Sequence, residues 1–338
     1  MIKGRSRHGR ACTAWVLVIV SALVNLNFVQ AKFRLSNELS DACGSDSRTH
    51  CADLDFRSGY PMWECLLDSN SRGMLGEACE SKLYDEELLL ARKGEYFDLT
   101  LCQTSVNSFC SGKLKAAAKV QCLVKNEKRI TEQACRQKVF QYVQRISETV
   151  AFDPWVEQSC EKEIGSFCGN VSDIDGQMHQ CLMENLAQLS FMCKDVEFLL
   201  KVRAEEDVRL NPIVSRACST ELASICSRAK ATGGEALNCL QENRLHSDMT
   251  KSCAAAILRD EATALASIEM MPMLKRKCLS ELKTVCKNVA EADAISCLKE
   301  HAAVASAQCR HSLFPVIKAQ SGNIALDVKS SFVCSADL

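Results

Sequence analysis

The chain has 338 residues, 22 of them cysteine, with 47% hydrophobic and 25% charged residues and a formal net charge of −1. That is enough apolar material to bury cores, so the composition excludes a disordered chain. Five Pro, 14 Gly and few aromatic residues, with Ala, Leu, Lys, Glu and Gln filling the segments between cysteines, favour helix over an all-β sandwich, and no basic stripe marks a nucleic-acid binder.

Residues 1–31 carry Lys3, Arg5, Arg7 and Arg10, then the apolar run "ACTAWVLVIVSALVNLNFVQA" ending in a V-x-A site at Ala31. This reads as a secretory signal peptide. The competing reading is an uncleaved anchor, against which Asn25 and Asn27 cut the apolar stretch below the ~20 residues of a membrane span. Removing 1–31 takes away four basic and no acidic residues, moving the net charge from −1 to −5. No later segment is long and apolar enough to span a bilayer, so the mature chain is expected to be luminal or secreted.

Cys12 lies in the signal peptide. The remaining cysteines, in an oxidising compartment, read as a disulfide framework. They fall into quartets: Cys43, Cys51, Cys65, Cys79; Cys102, Cys110, Cys122, Cys135; Cys160, Cys168, Cys181, Cys193; Cys218, Cys226, Cys239, Cys253; and Cys278, Cys286, Cys297, Cys309. Each quartet begins C-x7-C, the third cysteine is always followed by Leu, and first cysteines recur at intervals of 59, 58, 58 and 60. A fixed period of this size marks a repeat array. The expected repeats are 35–93, 94–151, 152–209, 210–269 and 270–325. "LDVKSSFVC" aligns with "FDPWVEQSC" and "LNPIVSRAC", which makes 326–338 the start of an incomplete sixth repeat and leaves Cys334 unpaired in this chain.

Within a repeat, Asp153-Pro154 and Asn211-Pro212 read as N-cap and first helical residue, so a first helix is expected to start there and run through the C-x7-C. A short second helix carries the Cys-Leu pair. A third helix is expected to start near Thr131 before Cys135 and near Ser247 before Cys253, with Val139, Val143, Ile146 and Val150 as an apolar core stripe.

Two cysteines eight positions apart on a regular helix lie about 12 Å apart along its axis, too far for a bridge. Of the two pairings left, the short loop after the second cysteine favours a nested one, second with third and first with fourth. Closing ~15 residues this way is worth about 3 kcal/mol in the chain-entropy model. The alternating pairing, first with third and second with fourth, stays open. Units of about 58 residues have marginal cores, so such staples bear on whether they fold.

No C-x2-C pair, H-E-x-x-H, G-x-S-x-G or phosphate-cradling glycine motif occurs, which leaves no expected metal ligand, cofactor site or catalytic residue. His50, His179, His246, His301 and His311 occupy unrelated repeat positions and read as solvated or incidental. Asp46, Glu163, Glu221, Glu281 and Asp337 do hold register, each three after a first cysteine, and read as structural groups on the exposed side of the first helix. Trp63 and Trp155 read as core or interface anchors, core being favoured because Trp155 sits beside a helix start. Asn170-Val171-Ser172 is the single N-glycosylation sequon after the signal. No polar cluster confined to one repeat is visible, which argues against an enzyme.

The C-x7-C, the Cys-Leu third position and the linker "DVRLNPIVSRAC" (Asp207 to Cys218) resemble the cysteine-rich repeats of the Golgi apparatus protein 1 family, the cysteine-rich fibroblast growth factor receptors or E-selectin ligands. The resemblance covers roughly residues 35–338. It implies a luminal array in a Golgi-resident type I membrane glycoprotein that binds fibroblast growth factors, with membrane attachment only if the chain continues beyond Leu338. The expected protein is therefore an all-α, disulfide-stapled, elongated solenoid-like array acting as a non-enzymatic scaffold of the Golgi lumen or secretory pathway, or secreted. Its expected partners are secreted growth factors of the fibroblast class or other secretory-pathway proteins, and its expected cofactors none. The alternative is a saposin-like lipid-binding helical protein, against which four cysteines per unit stand.

Overall fold

The computed structural model describes residues 34–113 and 115–322. The signal peptide read over 1–31 and the start of a sixth repeat, with Cys334 and Asp337, lie outside the described residues. Among those described there is no β-strand, only an isolated bridge between Asp207 and Thr232, so the chain is all-α with disulfide-stapled repeats. Two compact units divide between Leu123 and Val124.

In the first unit, helices Asn37–Ala42, Gly44–His50, Tyr60–Ser71 and Glu77–Lys93 enclose a core of Leu39, Met62, Trp63, Leu66, Leu83 and Leu90. Trp63 is buried as expected, its indole N–H donating to the Tyr96 carbonyl at 3.2 Å, and the Tyr96 hydroxyl donates to the buried Glu87 at 3.0 Å. Glu77–Lys93 ends on Gly94, whose φ of 71° is a left-handed cap. A Cβ there would fall 2.2 Å from the Ala117 backbone nitrogen, so only glycine fits.

In the second unit each linker repeats one design. Single 3₁₀ turns, Val150–Phe152, Val208–Leu210 and Ile268–Met270, lead into a helix whose first residue is Pro154, Pro212 or Pro272. Asp153 accepts the Trp155 amide at 2.9 Å and Asn211 the Val214 amide at 3.2 Å, the N-caps read from the sequence. The third helices start slightly later than Thr131 and Ser247 suggest: Gln133–Glu148 follows Glu132, and Lys251–Ala264 is capped by Thr250.

The expectation of one regular helix through every C-x7-C needs correction. Pro154–Phe167 is continuous, but elsewhere the helix is interrupted at the first cysteine: Asn37–Ala42 then Gly44–His50, Pro212–Ala217 then Ser219–Ala223, Pro272–Lys277 then Leu279–Lys283. In the second repeat a 3₁₀ turn, Leu99–Cys102, precedes Gln103–Phe109. At these cysteines ψ lies between 5° and 17°, far from the α-helical −42° or so. The hydrogen-bond ladder nevertheless continues: the Cys218 amide donates to Val214 at 2.9 Å and the Leu222 amide to Cys218 at 2.8 Å. A bridge does not by itself impose this kink, since Cys160 sits 4.8 Å from Cys193 on the unbroken helix.

Nine bridges link Cys43–Cys79, Cys51–Cys65, Cys110–Cys122, Cys160–Cys193, Cys168–Cys181, Cys218–Cys253, Cys226–Cys239, Cys278–Cys309 and Cys286–Cys297. Cys102 and Cys135 are also disulfide-bonded. Bridges from a first to a fourth cysteine bring Cα atoms to 4.6–4.8 Å, and those from a second to a third to 5.8–6.1 Å. The Leu after each third cysteine fills the space beside them: Leu66, Leu123, Leu182, Leu240 and Leu298 are all at most 1% exposed. That explains why the Cys-Leu pair recurs.

A second fastening joins the same two helices. Glu163, Glu221 and Glu281 are buried, not on the exposed side of the first helix, and accept the backbone amides of Ser190 (2.9 Å), Thr250 (2.8 Å) and Ser306 (2.8 Å). Asp46 accepts the Gly76 amide more loosely at 3.3 Å. Gly76, Ser190, Thr250 and Ser306 all stand immediately before a third helix, three residues before the fourth cysteine. In an ordinary capping box a Glu three residues into the helix reaches back to the cap amide. Here a cysteine occupies that position, so a carboxylate from the first helix supplies the bond. Thr250 and Ser306 complete the box by accepting the Cys253 and Cys309 amides, each at 3.3 Å.

Candidate functional site

Successive repeats of the second unit meet around two glycines. The Gly176 amide donates to the Glu148 carbonyl at 2.8 Å and the Gly234 amide to Glu206 at 3.0 Å, each closing onto the third helix of the preceding repeat. Both have positive φ, 76° and 71°, and a Cβ would fall 2.7 Å from Pro212 Cγ at Gly176 and 3.1 Å from Pro272 Cγ at Gly234. Three consecutive repeats therefore touch at each glycine.

Beside Gly176 lies the polar cluster that the sequence reading did not find. His179 is buried, with Nδ1 3.0 Å from a Glu197 oxygen and Nε2 2.7 Å from the Ile146 carbonyl, which corrects its reading as solvated or incidental. Lys201, also buried, places Nζ 2.6 Å from Glu205 and 2.5 Å from Asp260, and the Asn211 side-chain amide donates to the same Asp260 oxygen at 2.6 Å. Lys201 and Glu205 belong to the third helix Phe191–Glu206 and Asp260 to Lys251–Ala264, so the network ties one repeat to the next.

A signal for this cluster was present in the register. Counting from the third or fourth cysteine, His179 stands where other repeats have Trp63, Val120, Leu237 and Ile295; Glu197 where they have Leu83, Val139, Ile257 and Leu313; and Asp260 where they have Tyr142, Leu200 and Val316, with Glu86 in the first. Each partner is harmless only because the other is present, since an unpaired buried charge is costly.

The electrostatics follow from burial and pairing. Burial pulls the His179 imidazolium down, but the Glu197 carboxylate and Ile146 carbonyl outweigh it, and His179 lies above its ordinary range. Lys201 is likewise held above its ordinary value, burial being overcome by Asp260 and Glu205. Glu205 is pushed well up by burial and by the nearby Asp260, with Lys201 opposing. In the next junction burial raises Glu261 to about 7 against its partner Arg244, with Asp260 adding to the rise. The register carboxylates move the other way: Glu163 and Glu281 are lowered by their hydrogen bonds to Ser190 and Ser306, and Glu221, despite burial, by its bond to Thr250.

The recess beside the cluster holds about 50 Å³, room for a few waters and no substrate. A larger cleft of about 480 Å³ opens elsewhere, lined by apolar Phe140, Leu199, Val202 and Leu210 and by charged groups of both signs, among them Lys125, Lys128, Glu127 and Glu206. Close by, Trp155 is half-exposed rather than core, with Lys125 Nζ 3.9 Å from the centre of its ring. Among the described residues, the sets of metal-ligating types within reach of one another are Cys286, Cys297 and His301, and Cys278, Glu281 and Cys309. All four cysteines are in bridges and offer no thiolate. Asn170 is exposed in the turn that follows Cys168. No helix among the described residues is long and apolar enough to cross a membrane.

Small helical units closed by two bridges and stacked through glycine–proline junctions define a class of disulfide-stapled tandem-repeat proteins. A family profile described as a cysteine rich repeat matches residues 133–190, 192–248 and 251–304, together half of the chain, and the chain belongs to that family. It is similar to proteins named Golgi apparatus protein 1 from Gallus gallus (24% identical over 342 residues, 91% of this chain and 29% of that one) and Homo sapiens (24% over 341 residues, 91% and 28%). A Golgi apparatus protein 1 homolog of Caenorhabditis elegans is 22% identical over 277 residues, 75% of this chain and 24% of that one. The chain thus spans less than a third of the length of these relatives. No solved structure matches it.

Proposed function

We propose that the chain is a non-enzymatic binding scaffold of the Golgi lumen and secretory pathway, and that it engages secreted growth factors of the fibroblast class through surfaces of its repeats. The observation that carries this reading is the separation of chemistry from space. The clustered polar groups of the junction, His179, Glu197, Lys201 and Asp260, are buried around a recess too small for a substrate. The accessible cleft of about 480 Å³ is instead lined by apolar side chains together with charged groups of both signs, a mixture suited to recognition rather than chemistry. The names of the relatives support the Golgi assignment, and the bridges suit an oxidising lumen.

The test is direct binding of a purified fibroblast growth factor to the oxidised chain immobilised on a sensor surface. Saturable binding that disappears after reduction and alkylation is expected. Absence of binding by the oxidised chain overturns the ligand assignment. Cell imaging of a tagged chain tests the compartment separately, with co-distribution with Golgi markers expected and a cytosolic distribution overturning it.

A further inference from the structure

All five repeats turn the chain in the same way after the second cysteine: the amide three residues on donates back to the cysteine carbonyl, as Leu54 to Cys51 (2.9 Å), Lys113 to Cys110 (3.1 Å), Val171 to Cys168 (2.9 Å), Ala229 to Cys226 (2.9 Å) and Val289 to Cys286 (3.2 Å). The third repeat places Asn170-Val171-Ser172 on this turn, with Asn170 and Ser172 exposed. The fifth repeat places Asn288-Val289-Ala290 at the same register, with Asn288 and Ala290 also exposed. The two turns differ at the acceptor motif by one hydroxyl. Flanking the first are two large apolar side chains left in water, Phe167 at 40% exposure and Ile174 at 59%.

We propose that Asn170 carries an N-linked glycan and that the glycan covers the apolar surface of Phe167 and Ile174. The donor is a lipid-linked oligosaccharyl diphosphate. The Asn170 side-chain nitrogen forms a bond to the anomeric carbon of the first sugar and loses one proton, the bond from that carbon to the diphosphate oxygen breaks, and the lipid diphosphate leaves with the electron pair. No oxidation or reduction occurs. The folded turn accommodates the product, because the acceptor lies on an exposed loop outside every helix and its neighbours' bridges are unaffected. Asn288 is left unmodified because Ala290 lacks the hydroxyl that the acceptor motif requires.

The proposal rests on the luminal reading above, and the experiment separates the two. The full chain is translated with microsomes, and protease protection reads luminal entry while an N-glycan-releasing endoglycosidase reads modification. A protected chain that loses one glycan step on treatment is expected, with N170Q and S172A showing none and A290S showing two. A protected but unshifted wild-type chain, or a shift that survives in N170Q, overturns the site. An unprotected chain overturns both the site and the luminal reading. Secreted wild type is expected to bind less of a hydrophobic dye than N170Q; equal binding overturns the covering role.

Discussion

Glu221 of the first helix accepts the Thr250 amide at 2.8 Å, while three residues away along each helix Cys218 is bridged to Cys253. One covalent and one polar link therefore fix the same helix pair, and Glu281–Ser306 beside Cys278–Cys309 repeats the arrangement. The bridge sets the distance of approach. The carboxylate, itself buried, accepts one of the helix-start amides that have no partner within their own helix.

Removing that carboxylate is expected to be costly where it is buried. E221A and E281A should each destabilise by about 1.5–3 kcal/mol, the usual worth of a hydrogen bond to a charged group. D46A, whose bond to Gly76 is 3.3 Å and exposed, should cost less. Urea unfolding of the oxidised protein, with amide exchange in the 250–253 turn as a local readout, checks this; equal costs at all three positions would contradict it.

At the junction, single and paired substitutions should diverge. H179L places the residue found at Leu237 in the next repeat but leaves Glu197 buried without its partner, a loss of about 3–5 kcal/mol. H179L/E197L removes both charges and should recover most of that loss. A double variant as unstable as the single one would show that shape, not charge pairing, holds the site.

Stability should pass through a maximum in mildly acidic solution. His179, Glu205 and Glu261 have raised folded-state pKa values, so they add stability that is complete below their unfolded values and is lost as pH rises through the folded ones; for Glu261 that window runs from about 4.5 to about 7. Glu163, Glu221 and Glu281 are lowered, so their contribution is present above the ordinary carboxylate range and is lost as pH falls through the folded values. Thermal unfolding across pH measures the curve. Replacing the junction groups should flatten its alkaline side, and replacing the register carboxylates its acid side.

Glycine substitutions offer a test of the junction geometry. G176A should cost more than the roughly 1–2 kcal/mol of placing a side chain in left-handed backbone, because its Cβ also meets Pro212 Cγ at 2.7 Å and the Ser147 carbonyl at 3.2 Å. Gly73 has a similar φ of 65° with nothing within 4 Å, so G73A should show the backbone cost alone. Matching losses in thermal unfolding would argue against close packing at Gly176.

Much of the local structure was legible because it repeats. Asp153-Pro154 and Asn211-Pro212 cap helices as read, Val139, Val143 and Ile146 are buried, and the recurrent Leu lies beside the bridges. The register carboxylates were visible but misplaced, since a lone Glu on a helix looks solvated until the amide it serves is known. The junction cluster was hidden for a different reason. Lys201 and Asp260 are 59 residues apart, one repeat period, and only stacking of neighbouring repeats brings them together. The kinks at first cysteines have no sequence signature, as Cys160 and Cys218 begin the same C-x7-C and only one interrupts its helix.

The bridges named above each close within a single repeat, whereas Gly176 to Glu148, His179 to Ile146 and Lys201 to Asp260 join one repeat to the next without covalent bonds. Under mechanical tension the second unit should therefore yield first at its junctions, while each repeat keeps a length capped by its own cross-links. Pulled from both ends, it would lengthen in steps set by the number of junctions released, and recoil when the load is removed.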